Sequence, residues 1–352
     1  PMCQYASVDG MPTPWHYAHL GRYAIGGAAV VFYEETAVEA RGRKTYECAA
    51  LWDDAQTASF ASIASMLKSL GSIPAMQLGH SGRKASVKSA MNDWEPLGPE
   101  DAALGSPPWT GVSPSPLRAA PGKHIPKEMD GDDIRQVIAA FVEATRRTAD
   151  AGFEILEIHG AHGYLLHQFL SPLSNLRNDG YGGDRNGRMR FVLELTEAVR
   201  DAWPNELPLF FRVSSIDGKG GAWDIEDTVA LSSALASRGV DVVDCSSGGI
   251  TGDSQMPAVP ALAGNQVSFA HAVKRDAGMR SLAVGLITEP HQAEGILQAG
   301  HADLIGMARE LMYHADWPVH AAGALGIPDY LSLFPSSYAH RLISREAALS
   351  RG

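Results

Sequence analysis

Residues 157–183 read EIHGAHGYLLHQFLSPLSNLRNDGYGG, and the fold turns on how this stretch is taken. Residues 152–158, which lead into it, carry β-branched and aromatic residues and read as a buried strand. His159, His162 and Tyr164 follow where the chain should be leaving that strand. In a continuing strand His159 and His162 would point to opposite faces, so a shared site requires a turn after His159. Gly160 and Gly163 supply the freedom for one. The same residues also suit a pair of hydrogen-bonded structural histidines at a loop. Functional sites gather on loops held by a scaffold, and that weighs toward the first reading.

Outward from this stretch the same unit repeats. Short apolar runs at 1–5, 28–33, 73–78, 152–158, 207–215, 240–244, 282–286 and 302–307 alternate with amphipathic helical segments. Between residues 132 and 151, for example, Ile134, Val137, Ile138, Phe141 and Ala144 recur close to the helical period. Near-continuous apolar strands are what a parallel sheet covered on both faces requires. Eight such units predict a (β/α)8 TIM barrel forming a single domain. A doubly wound sheet is the alternative, but no GxGxxG follows the first strand. The unusual polar groups fall at the strands' C-terminal ends, the face on which barrels carry their active sites. Residues 88–129, rich in Pro, Gly and Ser and carrying Trp94 and Trp109, break the rhythm after the third strand. A connection of that length predicts a capping excursion over the barrel mouth.

Composition narrows the function. The 352 residues are 45% hydrophobic and 20% charged, an ordinary globular balance. A net charge of −11 argues against nucleic acid or an anionic membrane as the main partner. Three scattered cysteines, Cys3, Cys48 and Cys245, make neither a disulfide framework nor a zinc knuckle, and suit a reducing, cytoplasmic setting. No apolar run reaches the length of a membrane span.

PMCQY at 1–5, QLGHSGRKA at 77–85, HGYLLHQFLSPLSNLRNDGYGG at 162–183, FRVS at 211–214, DCSSG at 244–248, and the paired AVGLIT and GMAREL stretches occur in order along almost the whole chain. In these motifs the sequence resembles the Old Yellow Enzyme family of FMN-dependent ene-reductases. The similarity is to its bacterial-type class, which includes xenobiotic reductases and NADPH dehydrogenases. The 162–183 motif alone is highly specific, whereas the shorter ones are each weak.

The resemblance implies an enzyme that takes reducing equivalents from NADPH or NADH onto FMN and reduces activated alkenes: enones, enals, maleimides and nitroalkenes. It assigns Arg212 to the negative charge that gathers at the reduced flavin, a task suited to a guanidinium that keeps its proton. Gln77 matches the amide that reads the pyrimidine edge, and Pro1, Met2 and Cys3 lie along the flavin in the family. Ser247, Gly248, Gly285, Gly306, Ala308 and Arg309 match the phosphate site, where backbone N–H groups do most of the holding. His159 and His162 look like the donors to the substrate's carbonyl or nitro oxygen, and Tyr164 like the proton donor to its α-carbon. Tyr5 matches a second substrate-contacting phenol. The tail at 336–352 resembles those that enter a neighbouring subunit's site, with Arg341 as the entering residue, which implies a homodimer or homotetramer. A solvated basic helix end fits that tail equally.

Three departures from the family pattern stand out. Glu34, Glu35 and Thr36 put a carboxylate where the family has a small residue at the flavin edge. A charged Glu35 facing reduced flavin would lower its potential, since charges about 4 Å apart interact by roughly 4 kcal/mol at an effective dielectric of 20. Ala308 replaces a glycine, which is tolerable only at φ below zero. The family also has residues before PMCQY that complete the first strand and a hairpin beneath it, so barrel closure is the feature of the fold most in question. Two other functions compete: a flavin-binding protein with little turnover, which Glu35 favours, and a zinc hydrolase using Glu157, His159 and His162 with His80. Arg212 would sit badly beside a cation.

Overall fold

Apolar runs between helices become strands buried on both faces, and this fixes where the site lies. The computed structural model describes residues 1–218, 222–252 and 258–350. The final two residues of the predicted tail lie outside the described residues. One curled parallel sheet is built from β1 Val30–Ala37, β2 Ala49–Ala50, β3 Ile73–Gly79, β4 Ile155–Gly160, β5 Leu209–Ser214, β6 Val242–Ser246, β7 Arg280–Ala283 and β8 Leu304–Ile305. The spatial order is β8-β7-β6-β5-β4-β3-β1-β2. Helices fill the connections. Gly131–Asp150 begins where the Asp130 carboxylate accepts from the amides of Asp132 and Asp133, and it buries Ile134, Val137, Phe141 and Ala144. Ile134, Val137 and Phe141 each contribute about 1.5–3 kcal/mol on burial.

The two faces of the sheet have different jobs. Met76, Leu78, Leu156, Ile158, Leu209, Phe211 and Val213 point outward into the main core beneath the helices. Their neighbours point inward, and the inner face is layered. Ala75, Ile155, Phe210, Val242 and Leu282 make an apolar floor, with Val30, Phe32 and Val284 against it. Two residues further along each strand come Gln77, Glu157, Arg212 and Asp244, and beyond them His159, Ser214 and Ser246. Register sets Gln77 level with Glu157 and Asp244 level with Arg212, and it steps by one layer between β4 and β5, where Arg212 pairs with His159. A one-residue slip would drive this polar set into the helices.

Two expectations are corrected. Residues 1–5 form no strand. The Gln4 N–H goes to the Glu34 carboxylate rather than to a neighbouring backbone, and Tyr5 takes φ +52, outside the extended region. The eighth place in the sheet is taken instead by β2, which pairs with the end of β1 through Thr36 and Ala49. Among the described residues no ladder joins β8 to β1 or β2, so the curled sheet is not closed by hydrogen bonds. The turn that brings the histidines together also differs in detail. Strand β4 runs on through Gly160, and the reversal comes at His162 and Gly163, with φ +58 and +71. Gly160 is needed for space, because a Cβ there would lie 2.4 Å from the Phe211 ring.

The 88–129 excursion carries a small parallel pair of its own, Val112–Ser113 with Lys127–Glu128. From it Trp94 reaches back, its ring meeting Tyr5 edge-on at 5.2 Å. No helix among the described residues is long and apolar enough to cross a membrane.

Candidate active site

The C-terminal ends of β1, β3, β4, β5 and β6 converge on one set of buried polar groups. Gln77 donates through Nε2 to Glu157 Oε1 at 2.7 Å. Arg212 Nε lies 3.3 Å from Asp244 Oδ2, although the pair lacks hydrogen-bond geometry and leaves Nε, Asp244 Oδ1 and Glu157 Oε2 unpartnered among the described residues. Burial, reinforced by Asp244, pushes the Glu157 carboxyl up to about 8, with Arg212 pulling the other way. Around neutral pH Glu157 is therefore largely protonated.

One layer higher the His159 and His162 rings lie 5.3 Å apart and Tyr164 is 5.2 Å from His159. His162 is anchored by Ser246 Oγ at 2.7 Å from Nε2, and its backbone N–H donates to Ser214 Oγ. Both histidines keep Nδ1 unpartnered. Burial, and next the Arg212 charge, hold both imidazoles well below their usual range, so they are neutral at pH 7. Tyr164 is buried at the start of the helix Leu165–Leu170, with Lys44 Nζ and Lys84 Nζ 5.8 and 5.4 Å from its ring. Gly163 cannot be larger, since a Cβ would sit 2.0 Å from the Gly249 carbonyl oxygen. Below this turn His167 and Ser171 both bond Asp217, at 2.7 and 2.5 Å, which braces the segment.

A cavity of about 1150 Å³ opens beside these groups, between β1 and β8. Pro1, Met2, His162, Arg212 and Ser247 line its inner part, and Gly285, Gly306, Ala308 and Arg309 its far end. Cys3, Tyr5, Glu35, Gln77, His159, Tyr164 and Gly248 are not among the residues that line it; His159 pairs with the lining Arg212 in the sheet, and the Cys3 sulfur is 3.9 Å from Glu35 Oε2. Arg341 does not line this cavity; it is exposed on the helix Ser336–Leu349.

Residues 1–326 match the NADH:flavin oxidoreductase / NADH oxidase family. The chain belongs to that family. An NADPH dehydrogenase of Bacillus licheniformis is 39% identical over 328 residues, 92% of this chain and 89% of that protein. An NADPH dehydrogenase of Bacillus subtilis is 38% identical over 314 residues, 89% and 85% of the two chains. Morphinone reductase superposes with a TM-score of 0.75 at 23% identity over 92% of this chain and 84% of its own. An old yellow enzyme homologue from Zymomonas mobilis gives 0.72 at 21% identity over 96% and 92%. Those two likenesses bear on the fold alone. The chain is a flavin-dependent oxidoreductase, and its cofactor is FMN.

The residues of this flavin oxidoreductase fit FMN. The cavity wall is apolar along Val30, Phe32, Leu282 and Val284, as a flat ring system needs, and the unpartnered Arg212 Nε and Asp244 Oδ1 belong to side chains on its rim. At the phosphate end, Ala308 takes φ −128, the sign its side chain requires. Gly248 and Gly306 act differently from expectation. Their N–H groups donate to the Ile216 and Ala283 carbonyls and are not free to hold an anion, and of the two only Gly306 lines the cavity.

Sequence reasoning gave no role to Asp244, Ser246 or Lys44. The first two share the inward period-two face with Arg212, a usable signal, whereas Lys44 sits in a loop that carries none. The hydrolase alternative loses its fourth ligand, because His80 is engaged on both nitrogens, by Glu39 at 2.9 Å and by the Gly82 N–H. Among the described residues no three His, Cys, Asp or Glu side chains are grouped to hold a metal ion.

Proposed function

We propose that this flavin oxidoreductase spends NADPH, the donor named for its relatives, on the C=C bond of alkenes conjugated to a carbonyl, imide or nitro group. Bound FMN would supply the hydride chemistry, two electrons and a proton taken from the nicotinamide and delivered to the β-carbon. Arg212 and Gln77 would hold its pyrimidine edge, Pro1, Met2 and Cys3 its ring, and Ser247, Gly285, Ala308 and Arg309 its phosphate. His159 and His162, each neutral, offer an N–H to the substrate oxygen, where charge develops as the alkene is reduced. Tyr164 supplies the proton to the α-carbon, and Tyr5 bounds the alkene from the chain's start. The protein excludes water by burying these groups under Trp94 and the 88–129 excursion.

The observation that carries the reading is the pairing of two neutral imidazoles, both with an unpartnered Nδ1, beside a buried phenol at one sheet end. Glu35 favours the second reading, a flavin carrier with little turnover, because it brings a carboxyl to the cofactor's edge. Anaerobic NADPH oxidation decides between them. Addition of a cyclic enone should start turnover on the order of 1–10³ s⁻¹. Oxidation that runs only with oxygen and ignores the enone would leave the carrier reading standing.

A further inference from the structure

Strand β1 contains an irregularity that decides where Glu35 points. Phe32 pairs with Ala75 and Glu35 with Gln77, so three steps along β1 match two along β3. A bulge of this kind inserts one residue and flips the side-chain alternation beyond it. Without it Glu34 would be the inward residue and Glu35 would face the helices. With it, Glu35 joins Gln77 on the inner face, while Glu34 is tied off by His16 at 2.8 Å and by the Gln4 N–H. The Glu35 carboxyl is buried and so close to Gly79 that a Cβ there would lie 2.2 Å from Oε1. The Cys3 thiol donates to its Oε2 at 3.9 Å.

We propose that Glu35 is a positioning residue acting through Cys3: the β1 bulge delivers its carboxyl to the thiol, keeps Cys3 protonated, and makes the poise of the bound flavin pH-dependent. The inference rests on the flavin site described above.

The surroundings agree with this assignment. Burial, with Glu34 adjoining, pushes the Glu35 carboxyl up to about 8, while Lys44 and the hydrogen bond from Cys3 pull it down. Near pH 7 Glu35 is therefore neutral, so it does not exert the lowering of flavin potential expected of an ionised carboxylate. Burial, then Glu35 and Glu34, pushes the Cys3 thiol well up, with Cys48 adding to this and Lys44 again opposing. Above about pH 8 Glu35 ionises first, and Cys3 must then lose its proton against an adjacent negative charge. Tyr5, whose phenol burial also pushes up, remains protonated throughout that range.

The test uses the flavin-loaded protein and follows Cys3 alkylation by iodoacetamide, read on the Cys3 peptide by mass spectrometry, from about pH 6 to about pH 10. Glu35→Gln should move the onset to lower pH and make alkylation faster than in wild type above about pH 8, where the carboxyl has ionised. The flavin midpoint potentials of wild type and Glu35→Gln should diverge as pH rises above about 8, and the divergence should shrink when both carry Cys3→Ala, since coupled residues are non-additive. An unchanged alkylation profile overturns the pairing. A potential difference undiminished in the Cys3→Ala background overturns action through Cys3. A protein that binds no flavin contradicts the flavin site itself, and the alkylation profile still reports on the pairing independently.

Discussion

Tyr164→Phe should slow alkene reduction by about 10²–10⁴-fold, the usual contribution of a positioned proton donor, while NADPH continues to bleach the flavin's visible absorbance at the wild-type rate. The substitution removes one oxygen and keeps the ring, so the packing against His159 and the cations Lys44 and Lys84 survives. Stopped-flow measurement of the two half-reactions separates the effects. A variant slowed equally in both halves, or in neither, would remove Tyr164 from the proton-transfer role. Because the phenol is flanked by two lysines, a loss of folding is the alternative source of inactivity, and a retained flavin spectrum controls for it.

Arg212→Met should have the larger effect on cofactor binding. Arg212 is the part-buried cation paired with Asp244, beside the protonated Glu157 and the two neutral histidines, and removing one partner of a desolvated charge pair costs about 2–5 kcal/mol in binding. Flavin content on purification should fall accordingly. The protein itself should also lose stability, since breaking a buried pair leaves Asp244 uncompensated at about 3–5 kcal/mol. Arg212→Lys separates charge from shape: it should fold and retain part of the flavin while losing planar contact. Equilibrium dialysis against FMN, with thermal melts of the same samples, checks both effects. Full flavin occupancy in Arg212→Met would mean that the guanidinium does not face the cofactor.

Much of this layout was legible in the amino-acid order because parallel strands demand continuous apolar runs, so an Arg inside LFFRVS or a Gln inside IPAMQLG is conspicuous. The strand-end motifs likewise marked the rim on which His159, His162 and Tyr164 meet. What was not legible depends on register. Nothing local says that Glu157 and Asp244 lie level with Gln77 and Arg212, because that follows only from how neighbouring strands align. The same holds for the bulge that turns Glu35 inward, since a run such as VVFYEETA gives no sign of an extra residue. Ala49–Ala50 is too short to read as a strand. PMCQY reads as one yet is not, because its backbone bonds to a side chain and turns left-handed at Tyr5.

The central claim is that a single rim of the sheet gathers Arg212, Gln77, His159 and His162 around FMN, with the two imidazoles aimed at a substrate oxygen. The absorption spectrum of freshly purified protein during titration with a simple phenol tests it most directly. The account predicts a yellow protein in which phenol raises a saturable long-wavelength band, as an oxygen anion held by the histidines stacks on the ring. A protein that stays colourless when supplied with FMN, or a flavin spectrum that phenol leaves unaltered, would contradict it.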